Sequence, residues 1–320
     1  MKIGLIDVDS FNPKVKKQGF PNLALMKLSA WHKLKGDHVE MYDLIDPSQY
    51  DTIYASQVFT WNKIPFEFPK EKVIYGGSGV DLKKQLSNEI EHCYPDYGLY
   101  GIEYAMGYLT RGCLNACPFC LVHAKEGKLH LHSPLEEFWK DQTHVKLLDN
   151  DLTDCPEALD QLQLIRDKHI RLDLSQGFNV RTITKAWAEV LREIKVWEGG
   201  YWHIAWDNRK DEQKVMQGIQ ILFDAGFEAK DLMVLCLIGF SGNFADDLYR
   251  IETLKAMGIR SYAMIYKDFR SNAHSFDTIY HHLEHWTNFK RFFFEIDFET
   301  YLHKQNYSDS KPQNEALGDY

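Results

Sequence analysis

Short apolar runs alternate with amphipathic stretches along most of the chain. Lys2–Val8 has strand character and ends in Asp7-Val8-Asp9. Asn22–Lys35 reads as a helix, with Leu23, Leu25, Met26, Leu28 and Trp31 on or near one face and Gly36 where a helix-terminating glycine belongs. His38–Tyr42, Thr52–Ala55 and Val73–Tyr75 follow as short strands, the last running into Gly76-Gly77-Ser78-Gly79. Strands alternating with helices predict a small doubly wound parallel sheet over residues 1–93.

The stretch from Tyr94 to Gly101 is rich in glycine and tyrosine and reads as a linker. Beyond it the alternation is more regular. Expected strands are Ala105–Leu109, Val145–Leu148, Ile170–Leu174, Tyr201–Trp206, Met233–Ile238 and Tyr262–Tyr266. In Glu212–Ala225, Val215, Met216, Ile219, Leu222 and Phe223 make one apolar helical face that ends at Gly226. A helix carrying Leu248, Ile251 and Leu254 ends at Gly258, and Asp154 with Pro156 opens one carrying Leu159, Leu162 and Ile165. Six βα units fall short of a closed eight-stranded barrel. The expected fold class is therefore α/β: a partial (β/α)6 TIM-like barrel over 94–270, preceded by the small domain. A C-terminal helical extension over 271–320 has a polar tail after about Ser308. Sites in such sheets lie beyond the carboxyl ends of the strands, so those loops carry the chemistry.

Composition narrows the partners. The 320 residues are 44% hydrophobic and 26% charged, enough for a real core. No run approaches the ~18 apolar residues of a spanning helix, and the N-terminus turns acidic too early for a secretory signal. A cytoplasmic location is expected. The net charge of -9 and the lack of a dense Lys/Arg run weigh against nucleic acid and against an anionic membrane. Six cysteines in such a chain do not read as a disulfide framework. Cys93, Cys155 and Cys236 are scattered and read as small buried hydrophobes.

The other three cysteines cluster in Thr110-Arg111-Gly112-Cys113-Leu114-Asn115-Ala116-Cys117-Pro118-Phe119-Cys120. Thiolates at this spacing suit zinc or an iron–sulfur centre. The spacing, Phe119 just before the third cysteine, and the place after the first barrel strand resemble the radical S-adenosylmethionine (SAM) superfamily, over about Tyr97 to Asp268. The resemblance implies that Cys113, Cys117 and Cys120 bind a [4Fe–4S] cluster whose open iron chelates SAM. It implies a radical SAM enzyme acting on a small-molecule or peptide substrate, with an electron donor such as flavodoxin or ferredoxin. A zinc-stabilised α/β binding protein, with His123, His130 or His132 as fourth ligand, is the alternative from the residues alone.

The strand ends supply the expected cofactor contacts. Asp149 and Asn150 stand where the family often has Gly-Gly-Glu and are candidates for the SAM ammonium, or for a helix cap. Gln176 and Arg181 follow the third strand, and an arginine there can clamp a carboxylate. By the resemblance Asp207 suits the ribose, Gly239 backs the adenine, and Phe119 and Tyr266 complete the cofactor contacts. His281, His282 and His285 have no carboxylate at metalloprotease spacing and read as packing or surface residues. Phe289–Phe294 reads as a core-covering element. The small first domain is similar to the cobalamin-binding domain of methyltransferase-like members, which leaves a cobalamin-dependent radical SAM methyltransferase as a further alternative. The Asp-x-His-x-x-Gly motif is missing, since Gly36-Asp37-His38-Val39-Glu40 lacks that order. Nothing in the sequence singles out a catalytic residue.

Overall fold

A computed structural model of the chain describes residues 1–11, 20–43, 46–63, 70–267 and 278–306. The polar tail beyond Ser308 lies outside the described residues, as does Asp268. The chain divides into two compact units, Met1–Gly200 and Tyr201–Tyr320.

The first unit opens with a four-stranded sheet of β1 (Lys2–Asp7), β2 (His38–Met41), β3 (Thr52–Ser56) and β4 (Val73–Gly76), in the order β2-β1-β3-β4. Every neighbouring pair is parallel, with Leu5 opposite both Met41 and Tyr54. Between β1 and β2 runs α1 (Leu23–Leu34), whose Asn22 side chain caps it by accepting from Leu25 N. Ile3, Leu5, Leu25, Leu28 and Val39 form the core between helix and sheet.

A short α2 (Asn88–Glu91) leads to a second sheet of β5 (Ala105–Gly107), β8 (His144–Leu147) and β9 (Arg171–Leu174), all parallel in that order. Between β5 and β8 lie β6 (Thr110–Arg111), α3 (Val122–Glu126) and β7 (His130–Leu131), with β6 and β7 antiparallel. The helices α4 (Leu159–Asp167) and α5 (Lys185–Glu193) flank β9 in sequence and pack against each other. The segment from Tyr94 to Gly101 is pinned to this unit. The buried Tyr97 hydroxyl donates to Phe138 O at 2.6 Å, and it accepts from Met106 N at 3.0 Å.

The second unit contains the parallel sheet β10 (Trp202–Ala205), β11 (Leu232–Ile238) and β12 (Arg260–Ile265) in sequence order. Its helices are α6 (Glu212–Asp224), α7 (Phe244–Ala256), α8 (Thr278–Asn288), α9 (Lys290–Glu295) and α10 (Phe298–Asn306). Phe293 is fully buried against Trp286, so the Phe-rich segment does cover core. His285 stacks on Phe289 and pairs through Nδ1 with the Tyr301 hydroxyl at 2.7 Å, a packing role. The chain is thus a mixed α/β protein with several parallel sheets. Among the described residues no helix is long and apolar enough to cross a membrane.

Candidate functional site

The first barrel strand was expected to run from Ala105 to Leu109. It stops at Gly107, because the next backbone donors turn away from the ladder. Leu109 N and Thr110 N both donate to the Asp149 carboxylate, at 3.2 and 2.5 Å, and the Thr110 hydroxyl adds a bond at 2.7 Å. Asp149 is buried, and burial pushes its carboxyl up to about 6 against the pull of those donors. Its acceptor capacity is directed at the turn after β5 and not at the start of a helix.

That clamp sends β6 out to pair with β7 and places the cysteine loop between them. Gly112 has a φ of +79°, and a Cβ there would meet Lys128 O at 2.3 Å, so the hairpin closes only around a glycine. Glu126 holds the base of the loop: it accepts from Gly112 N, from Arg111 Nη1 and from Asn150 Nδ2, all at 3.0–3.1 Å. Arg111 also reaches Glu91, which Lys27 and His132 contact at 2.9 and 3.1 Å. Burial works against ionisation of Glu91. His132, Lys27 and Arg111 nonetheless hold its carboxyl at about 2.

Within the loop the three cysteines go different ways. Cys113 donates its thiol proton to Asp151 Oδ2 at 3.1 Å and accepts Asn115 N–H at 3.2 Å. Burial pushes this thiol up to about 12, with the Asp151 charge adding to the effect. Cys117 accepts the Cys120 N–H on its carbonyl at 3.0 Å, closing a turn across Pro118 and Phe119. Cys120 is exposed and receives Val122 N–H on its sulfur at 3.4 Å. Asp151 is buried, and burial together with Asp154 pushes its carboxyl up to about 6.

Among the described residues no group of three or more His, Cys, Asp or Glu side chains is disposed to hold a metal ion. This overturns the expected [4Fe–4S] cluster on Cys113, Cys117 and Cys120, and with it the SAM chelated to its iron and the radical SAM enzyme. It equally overturns the zinc alternative with His123, His130 or His132, and the cobalamin-dependent variant. The physical reason lies in the loop. Spacing brings thiols close along the chain, but convergence depends on where each Sγ points, and Cys113 is committed to Asp151.

Most of the remaining strand-end residues are engaged by other residues of the chain. Asn150 donates to Glu126, Gln176 is exposed, and Arg181 donates through N and Nε to Asn179 Oδ1 at 3.3 and 3.0 Å. Phe119 is half-buried. Asp154, expected to open a helix, instead accepts from Asn179 Nδ2 at 2.7 Å and from the Thr182 hydroxyl, tying the loops after β8 and β9. In the second unit Asp207 accepts from Leu237 N at 2.8 Å, Gly239 N donates to Asp247 at 2.8 Å, and Tyr266 packs edge-on to Phe240. The buried Arg250 there pairs with Asp247 and donates to Trp206 O and Leu237 O. Neither residue was singled out in the sequence, though an i,i+3 acid–base pair on an otherwise apolar helix face was the available signal.

A cavity of about 720 Å³ in the first unit is lined by Phe20, Glu103, Tyr104, Thr143, His144 and Trp197, among others. Its Pro21 and Gly101 walls adjoin Asn22 and Tyr100. The Asn22 side chain reaches Ser56 at the end of β3, and the Tyr100 hydroxyl reaches Asp7 at the end of β1, at 2.8 and 2.7 Å. Asp7 and Ser56 lie opposite each other in the register, where the chain order of the first sheet reverses. Around the Trp197 ring, Tyr104 lies edge-on at 4.9 Å and His144 tilted at 4.8 Å. The Lys146 ammonium stands 5.3 Å from the Phe20 ring centre and 5.6 Å from that of Trp197. Nothing in the sequence set these residues apart, since they are distant in the chain and belong to no motif. Neither a protein-family model nor a curated protein matches the chain.

Proposed function

We propose that the chain is a small-molecule-binding α/β protein whose ligand is planar and neutral or singly cationic. The observation that carries the reading is the ring-lined cavity of about 720 Å³, whose lining residues Pro21 and Gly101 are chain neighbours of Asn22 and Tyr100, which bond Ser56 and Asp7 at the ends of β3 and β1. Its size falls in the range of about 300–1,000 Å³ usual for ligand sites. Open parallel sheets take ligands where the strand order reverses, and this sheet reverses between β1 and β3. The rings of Phe20, Tyr104 and Trp197 offer stacking faces, and Lys146 over two of them samples the charge that such faces attract. Lys146 is neutralised by Asp173, while Glu103 adds a carboxylate to the lining.

Within this reading the first sheet is the doubly wound domain over 1–93. Each of the two three-stranded sheets has parallel strands in chain order, as successive βα units produce. The net charge of -9 favours such a ligand over nucleic acid or an anionic membrane, and six cysteines that do not read as a disulfide framework favour a reducing, cytoplasmic location.

Calorimetry and saturation-transfer NMR with adenosine, riboflavin and 1-methylnicotinamide, a planar monocation, test the proposal. At least one probe should bind, and Trp197→Ala should weaken it about two- to tenfold, the worth of one aromatic contact. No binding up to millimolar concentration, or binding indifferent to both Trp197→Ala and Tyr104→Ala, ends it.

A further inference from the structure

The segment Cys117-Pro118-Phe119-Cys120 has a geometry that its neighbours lack. Cys120 N donates to Cys117 O at 3.0 Å, so the four residues form a hydrogen-bonded turn with proline at its second position. Such a turn keeps its first and last Cα atoms within about 7 Å. A disulfide needs a Cα separation of about 4.4–6.8 Å, so this turn sits at the right span without a large backbone shift. Cys120 is exposed, with the Val122 N–H directed at its sulfur at 3.4 Å. Cys117 is half-buried.

The other four thiols are placed differently. Cys155 and Cys236 are buried, and Cys93 donates to Glu89 O at 3.1 Å. Cys113 is four residues before the turn and is tied to Asp151 at 3.1 Å. We infer that Cys117 and Cys120 form a reversible dithiol that exchanges with low-molecular-weight disulfides such as oxidised glutathione. The Cys120 thiolate attacks one glutathione sulfur, forming a mixed disulfide and breaking the glutathione S–S bond. The departing glutathione thiolate takes up the proton that Cys120 gave to solvent. Cys117, as thiolate, then attacks Cys120 Sγ, closing the Cys117–Cys120 bond and releasing the second glutathione in the same way. Two protein thiols are oxidised to one disulfide, and one glutathione disulfide is reduced to two thiols.

The test is equilibration of the full chain in glutathione redox buffers, followed by acid quench, alkylation and peptide mapping. Wild type should show one disulfide, linking Cys117 to Cys120, that reduced glutathione reverses. Cys117→Ala should accumulate a glutathione adduct on Cys120, since nothing resolves it, and Cys113→Ala should oxidise as wild type does. The inference is overturned if the wild-type turn stays reduced, if Cys113 is a partner in the bond, or if wild type accumulates the same persistent adduct. The wild-type map decides even if a variant fails to fold.

Discussion

The Cys113 thiol donates to Asp151 Oδ2 at 3.1 Å, across a separation of thirty-eight residues. The same oxygen accepts Leu114 N–H at 3.1 Å, so one carboxylate anchors the start of the cysteine loop to the end of β8. The contact explains why the most conspicuous sequence feature does not become a metal centre. It holds one thiol protonated and turned toward an acid.

Differential alkylation follows directly. At pH 7.5 Cys113, with its pKa pushed up to about 12, should react with iodoacetamide far more slowly than the exposed Cys120. Asp151→Asn removes the neighbouring charge and should speed Cys113. Equal labelling rates for Cys113 and Cys120 in wild type, read by mass spectrometry of the peptides, would refute the pairing.

Asp149→Ala orphans three donors, from Leu109 and Thr110, in a buried place. The expected loss is about 3 kcal/mol or more, since each buried group left unpaired costs about 1–3 kcal/mol. A urea unfolding curve within 1 kcal/mol of wild type would show that the clamp does not fix the turn after β5.

The acids also set a pH dependence. Asp149 and Asp151 are both raised to about 6, above the unfolded value of about 3.9. The native state holds their protons longer than the unfolded state does. Their contribution is therefore fully present below about pH 4 and is lost as pH rises through about 6. Glu91, held at about 2, works in the opposite sense: its contribution is present above about pH 4 and is lost as pH falls toward 2. Between pH 7.5 and pH 5 the wild-type urea midpoint should rise, and Asp151→Asn should show a smaller rise. An identical pH response in the two proteins would remove Asp151 from this account.

In the second unit Arg250 is 1% and Asp247 4% exposed, and their side chains hold the backbone ends of β10 and β11. Arg250→Ala leaves a buried carboxylate alone and should cost about 3–5 kcal/mol. Lys230→Ala, from an exposed pair with Glu228, should cost at most about 1 kcal/mol. Comparable unfolding free energies for the two variants would contradict the burial argument.

Local pattern alone located the regular elements. Asn22 and Gly36 bound α1 because capping and left-handed termination are properties of a few adjacent residues. Gly226 and Gly258 end α6 and α7 for the same reason, with φ of +95° and +72°. The parallel strands appeared as apolar runs because both faces of such sheets are covered. What the sequence could not show is where long-range polar partners intervene. Asp149 cuts the first expected barrel strand short and creates the β6–β7 hairpin, and Asp154 ties two loops where a helix start was expected. The cavity at Phe20, Tyr104, His144 and Trp197 has no local signature at all. Periodicity and turn chemistry act over a few residues, so the sequence by itself determined the α/β character and most element positions. The direction of the Cys113 thiol, the clamp at Asp149 and the cavity are set by side chains that meet across long stretches of chain, which only the tertiary structure decided.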